Sequence, residues 1–267
     1  MNNVYKQQEK VMNQKGNFFL IDTHKHTFEI TSAGLHMLAM AFMLSDHMWA
    51  TFGMRWDWMT CIGRIAFPIF AFMAVEGYFY TSNFRRYMLR MLAFALVSEI
   101  PFNLMYGGSL FYPVHQNVLW TFLISLACIR MMEAVKAKGQ TWVFYVSSFF
   151  IIILGWLLGT VGMVDYYGAG IWVVLTFYFF HGRKWWCLVG QILALFWLNM
   201  NLGGLSYSFQ LFGMSLEIPQ QEFAMLALIP IWLYRGRQGL HNKVFQYACY
   251  LFYPVHCLVL VAISRRL

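Results

Sequence analysis

Long apolar runs separated by short polar turns dominate the chain. A helix that crosses a bilayer needs about 20 mainly apolar residues, with a range near 17 to 25. Nine stretches come close to that length: Gly34 to Phe52, Trp58 to Tyr80, Phe84 to Tyr106, Asn117 to Val135, Thr141 to Thr160, Tyr166 to His181, Lys184 to Met200, Gln221 to Tyr234 and Val244 to Ile263. The sixth and eighth are short. Backbone inside hydrocarbon must satisfy its own hydrogen bonds, so these runs are expected as helices even where β-branched residues crowd them. The pattern predicts an all-α, polytopic membrane helix bundle of about nine transmembrane helices over residues 34–267, after a polar tail over residues 1–33.

Composition sharpens that reading. Of 267 residues 60% are hydrophobic, 19% aromatic and only 11% charged, against roughly 25% charged in ordinary soluble domains. The formal net charge of +8 comes from short clusters between apolar runs, not from a continuous basic face, which argues against nucleic acid as a partner. Those clusters sort by side. Lysines of the tail, Arg85 and Arg86, Arg130 with Lys136 and Lys138, Arg183 and Lys184, and Arg235 with Arg237 and Lys243 fall together if the spans alternate, while Arg55, Asp57, Asp165 and Glu217 lie opposite. Basic loops stay cytoplasmic, so a cytoplasmic N-terminus is expected. Arg265 and Arg266 object, ending a ninth span on the wrong side unless they cap it at the lipid surface or a short span does not cross. The tail lacks the layout of a cleaved signal peptide. Five cysteines stand singly in apolar runs, with no spacing that suggests zinc or a disulfide framework, and are expected as small buried thiols.

Ionisable side chains inside such runs are expensive and need partners or a water-lined hollow. At about 1.5 Å per residue, His47, Arg64, Glu99 and His256 share a layer roughly 8 to 10 Å below the outer surface. His115, Gln116 and Asn117 at the start of the fourth span and Asp165 before the sixth add to it, whereas Glu76 lies near the inner face. A polar pocket opening outward would produce this coincidence of depth.

Each residue carries alternatives. Asp46 and His47 are neighbours pointing about 100° apart, so they seek partners on other helices; in the headgroup region both would be wet and inert. Arg64 precedes Pro68, whose ring removes the amide that would bond the carbonyl of residue 64, so a bend is expected there. The arginine either grips a carboxylate or phosphate or pairs with Asp46 or Glu99. Glu99 and Asn103 share a helix face around Pro101; Glu99 either neutralises Arg64 or orients His47, His115 or His256. Asn117 suits a helix N-cap. His256, two residues beyond Pro254, is either a satisfied core histidine or a ligand, and the lack of paired spacing argues against a metal. Glu76 closes the second span near Arg85, Arg86 and Arg90.

SDH at residues 45–47, GRIAFPIFAFMAVEG, YMLRMLAFALVSEIPFN, HQNV and LFYPVH together resemble the TraX family of bacterial membrane proteins, over most of Gly34 to Ile263. That family's type member is associated with N-terminal acetylation of conjugative pilin, and the family looks like a branch of the wider transmembrane acyltransferases that includes the lysosomal heparan acetyltransferase. The resemblance implies a multi-pass acetyl-CoA-dependent O- or N-acetyltransferase of the bacterial cytoplasmic membrane. It would move an acetyl group from cytosolic acetyl-CoA to an unknown amine or hydroxyl acceptor outside, on a peptide, a glycan or a small molecule. His47 matches the family's catalytic histidine, with Asp46 or Glu99 as its carboxylate. Arg64, Glu76, Asn103, His115, Gln116, Asn117, Asp165 and His256 would line the substrate path, and no metal is expected. A proton-coupled transporter or flippase using the same charged layer is the alternative.

Overall fold

The computed structural model describes residues 29–53, 56–211, 214–240 and 242–266. Most of the polar tail with its lysines, and Arg55, lie outside the described residues. Helix α1 (Ser32–Phe52) starts on a Thr31 side chain that accepts from Gly34 N–H and ends on Gly53 in the left-handed region. The next apolar run is broken in two, α2 (Trp58–Gly63) and α3 (Ala66–Tyr80). There follow α4 (Phe84–Tyr106), α5 (Val118–Lys136), α6 (Thr141–Val161), α7 (Tyr167–Phe179) and α8 (Trp185–Met200). A hairpin of β1 (Ser206–Leu211) and β2 (Met214–Pro219) leads to a 3₁₀ helix (Gln220–Ala227), α9 (Leu228–Leu233) and α10 (Lys243–Ser264). Asparagine side chains cap α4, α5 and α10, at Asn83, Asn117 and Asn242.

The expected bend before Pro68 is present: Arg64 and Ile65 form the turn between α2 and α3, with Ile65 N–H donating to Ile62 O instead of continuing the α-pattern. The eighth expected span is where the chain departs most from an α-helix. Pro230 has no N–H for the carbonyl four residues back, and the stretch ahead of it winds as 3₁₀. Hydrophobic run length carries no signal for the hairpin that precedes it.

Among the described residues, five segments are long and apolar enough to cross a membrane: Trp58–Tyr80, Phe84–Tyr106, Val118–Lys136, Thr141–Val161 and Lys243–Ser264. Their outward faces stay apolar; on α6, Phe149 is 61% and Phe150 63% exposed, a surface that water would not tolerate at this scale and lipid does. Exposed tryptophans gather toward the two ends, Trp56 and Trp58 at one and Trp142 and Trp185 at the other, as interfacial aromatic belts do. The shorter α7 is central: Ile171, Val173, Val174 and Phe177 are buried, and it needs no lipid-matching length because its neighbours cover it. Small residues bring it close; a Cβ on Gly168 would lie 2.3 Å from the Trp156 ring of α6.

At the end of the bundle that holds most of the basic loops, residues 234–240 fold back over the start of α1. Ser32 N–H donates to Arg237 O at 2.8 Å and Ala33 N–H to Gln238 O at 3.1 Å. The polar layer lies toward the opposite, far end.

Candidate functional site

The far half of the bundle brings α1, α2, α4, α5 and α10 together around four small polar clusters. In the first, His47 of α1 and His256 of α10 share a hydrogen bond, Nδ1 to Nε2 at 2.7 Å. Their rings stack at 4.9 Å and both are buried. The other nitrogen of His256, Nδ1, lies 2.7 Å from Phe252 O. A backbone carbonyl only accepts, so that nitrogen carries a proton, Nε2 is the acceptor, and His47 Nδ1 donates to it. His47 is thereby left with an unprotonated Nε2. Cys257 Sγ stands 4.0 Å from His47 Nδ1 and 3.8 Å from His256 Nε2. Pro254 is accommodated inside the same helix.

The second cluster is built on close helix approach. Gly63 of α2 packs so tightly on α1 that a Cβ there would lie 2.3 Å from Asp46 Cβ. Asp46 accepts from Thr60 Oγ1 at 2.6 Å and from Arg64 at 2.9 Å, and the guanidinium also donates to Thr60 at 2.9 Å. Of the two roles open to Arg64, pairing with Asp46 is the one found. Its Nε is buried with no hydrogen-bond partner among the described residues, and the Tyr166 phenol faces it.

His115 and Asp165 form the third, Nε2 to Oδ1 at 3.2 Å. Burial pulls the His115 pKa down, but the hydrogen bond and charge of Asp165 outweigh it, so the net shift is upward. The loops carrying them are stitched together: Gln116 N–H donates to Met163 O, Asp165 N–H to Gln116 O, and Thr121 Oγ1 to Asp165 O at 2.7 Å. Met163, Tyr166 and Tyr167 have φ of 50°, 60° and 50°, strained values for non-glycine residues that a structure retains only when surroundings over-determine them. Tyr106 bridges the first and third clusters, its ring 6.1 Å from His47 and 5.5 Å from His115.

In the fourth, Glu99 accepts from Asn117 Nδ2 and from Trp120 Nε1, the latter at 2.9 Å. Asn117 also donates to Ala95 O while its Oδ1 caps α5 at Leu119 N–H. Asn103 donates to Leu110 O and Gln116 to Pro113 O, local bonds that join neither residue to a cluster.

Two expectations are corrected. Neither carboxylate expected to orient His47 touches it: Asp46 is held by Thr60 and Arg64, and Glu99 by Asn117 and Trp120, so His256 is the partner. Glu99 does not neutralise Arg64. Glu76 lies toward the basic end as expected, where its partner is His181 at 2.6 Å. Thr60, Tyr106, Trp120, Tyr166, His181 and Cys257 were missed as site neighbours, since each reads as ordinary apolar-run filler.

A cavity of about 630 Å³ runs between α1, α3, α4, α5 and α10, within the range of small-molecule sites. Along α1 it extends from Ser32 to Met43, about 16 Å at the usual helical rise. Toward the basic end it is lined by His36, Glu76, Thr81, Arg90 and Gln238, and at its deep end by Tyr253. The Tyr253 ring lies 6.1 Å from that of His47 and 5.7 Å from that of His256.

Residues 31–264 match the family model described as TraX protein. The chain belongs to the TraX protein family. Among curated proteins, the probable fimbrial assembly protein FimC, serogroup H1, of Dichelobacter nodosus is 25% identical over 253 residues, covering 86% of this chain and 90% of that protein. No solved structure matches. The TraX match begins at the Thr31 cap of α1 and ends on the last residue of α10, so it takes in every one of the four clusters and the cavity.

Proposed function

We propose that this TraX-family protein is a membrane-embedded acyltransferase that moves an acetyl group from acetyl-CoA to an amine or hydroxyl acceptor. The observation that carries the reading is the cavity that leads from the basic end to Tyr253, beside a buried histidine whose free nitrogen is fixed by a second histidine. In this reading the α1 start and the basic loops face the bacterial cytosol and the apolar segments make nine crossings of the inner membrane, the 3₁₀ stretch and α9 together forming the eighth.

The thioester enters from the basic end. His47 Nε2 takes the proton of the acceptor as its nitrogen or oxygen attacks the acetyl carbonyl. The C–S bond then breaks, and the departing thiolate recovers that proton from the imidazolium. His256 fixes the His47 tautomer, the part first expected of a carboxylate. Arg64, whose buried Nε has no hydrogen-bond partner among the described residues, is assigned as donor to the developing oxyanion; Asn117 is not, because its amide is already committed to Ala95 and Glu99. His115, Asp165 and Tyr106 line the acceptor side. The fimbrial naming of the Dichelobacter relative is consistent with a protein acceptor such as a pilin N-terminus, and a cell-envelope glycan or small molecule meets the same chemistry.

The deciding experiment uses purified protein in liposomes with labelled acetyl-CoA and amine or hydroxyl acceptors. Transfer by the wild type and its loss in a folded His47→Ala variant is expected; unchanged turnover in that variant removes His47 from catalysis. A proton-coupled transporter is the second reading, favoured by Glu222 of the 3₁₀ helix, whose buried carboxylate oxygens have no hydrogen-bond partner among the described residues. Accumulation of an unmodified solute in the same liposomes would support it.

A further inference from the structure

The His47, His256 and Cys257 side chains have a composition that general base chemistry does not require. Their ligand atoms lie within 4.8 Å of one another, and all three residues are buried. Two imidazoles and a thiol are the donor set of zinc and of other borderline to soft transition metals. His256 shows the arrangement that metal-bound histidines depend on, with the ring nitrogen away from the cluster held by a backbone carbonyl, here Phe252 O at 2.7 Å. The cluster draws on two helices, and the nearby Arg64 charge is balanced by Asp46 at 2.9 Å.

From this geometry we propose that His47 Nδ1, His256 Nε2 and Cys257 Sγ form a binding site for a divalent transition metal such as Zn²⁺. Zinc takes nitrogen at about 2.0 Å and sulfur at about 2.3 Å, so the two imidazoles need to part by roughly half an ångström from their hydrogen bond. Binding exchanges protons in a defined way. The proton on His47 Nδ1 moves to its Nε2, the Cys257 thiol gives one proton to solvent, and the ion gains two neutral nitrogens and one thiolate. The Nε2 that would act as base in acyl transfer is then occupied by hydrogen. Metal-bound and base-competent forms exclude each other, and the ion acts as an inhibitor of the proposed reaction.

Cobalt titration of the full-length protein in detergent tests the site without reference to catalysis. The wild type should bind one equivalent of Co²⁺ and show a near-ultraviolet thiolate-to-cobalt charge-transfer band, both displaced by Zn²⁺. Cys257→Ser should lose the band, His256→Ala should lose stoichiometric binding, and His36→Ala, a cavity histidine outside the cluster, should keep both. Circular dichroism and gel filtration establish that each variant is folded, and His256→Gln replaces His256→Ala if the latter is not. Absence of stoichiometric binding by the wild type, or a band that survives Cys257→Ser, overturns the site. Where acyl transfer is measurable, Zn²⁺ should abolish it and a chelator restore it. If no transfer is found, the cobalt result still decides on the metal, so the two readings fail separately.

Discussion

His256 acts on His47 through one hydrogen bond, and that makes its contribution separable from binding. Replacing it with alanine frees the His47 ring to adopt either tautomer, so kcat for the proposed acetyl transfer should fall by about 10²-fold or more while KM for acetyl-CoA stays near the wild-type value. Glutamine, whose carbonyl oxygen can stand in for the Nε2 acceptor, should recover part of the loss. A KM effect of similar size instead would show His256 holding substrate. His115 offers a pH-dependent test. Asp165 raises its pKa in the folded state above the ordinary value of 6.5, so the charged pair stabilises fully below that value and its contribution fades as pH rises through the raised one. The difference in thermal midpoint between wild type and Asp165→Asn should therefore be wide at about pH 6 and narrow by about pH 9. A gap independent of pH would remove the pair from the account. These partners were not legible from the chain, because nothing in HQNV or in VDYY states which loop each will meet.

At the scale of elements, local signals were readable where local chemistry decides. Asn117 and its helix start, the start of α4 at Asn83 and the bend ahead of Pro68 follow from side-chain capping and from a missing amide, while α6 and α8 start without a side-chain cap and their ends follow the limits of the apolar runs. The 3₁₀ helix and the β-hairpin did not follow, since apolar length does not distinguish an α-helix from a strained or paired stretch. Gly63 is the element-level feature with the sharpest consequence. A Cβ 2.3 Å from Asp46 Cβ forces α2 away from α1 and stretches the Asp46, Thr60 and Arg64 bonds. Gly63→Ala should cost about 1–3 kcal/mol as an overpacked contact, read as a lowered thermal midpoint in detergent, and should reduce acyl transfer through the displaced Arg64. Gly53→Ala, at the α1 terminus with nothing within 4 Å of an added Cβ, should leave acyl transfer intact while carrying the strain of its φ of 57°.

Across the whole molecule, the cavity runs from the basic end to Tyr253, whose ring stands beside both histidines. Ala33 lines it near the mouth. Ala33→Phe should raise KM for acetyl-CoA several-fold with little change in kcat, because the obstruction lies far from the reacting atoms; an unaltered KM would mean the donor takes another path. What the sequence by itself determined is the class of molecule. Apolar runs of spanning length, basic clusters on alternate turns and isolated ionisable residues at one depth follow from the cost of polar groups in hydrocarbon, which acts on each segment alone. Which group meets which was decided by tertiary packing. His47 and His256 are separated by 209 positions, and Glu99, on the span that follows the one carrying Arg64, meets Asn117 and Trp120 instead of that arginine. Such choices depend on helix rotation and approach, fixed by small residues such as Gly63 and Gly168 across several helices at once. No single segment carries that information.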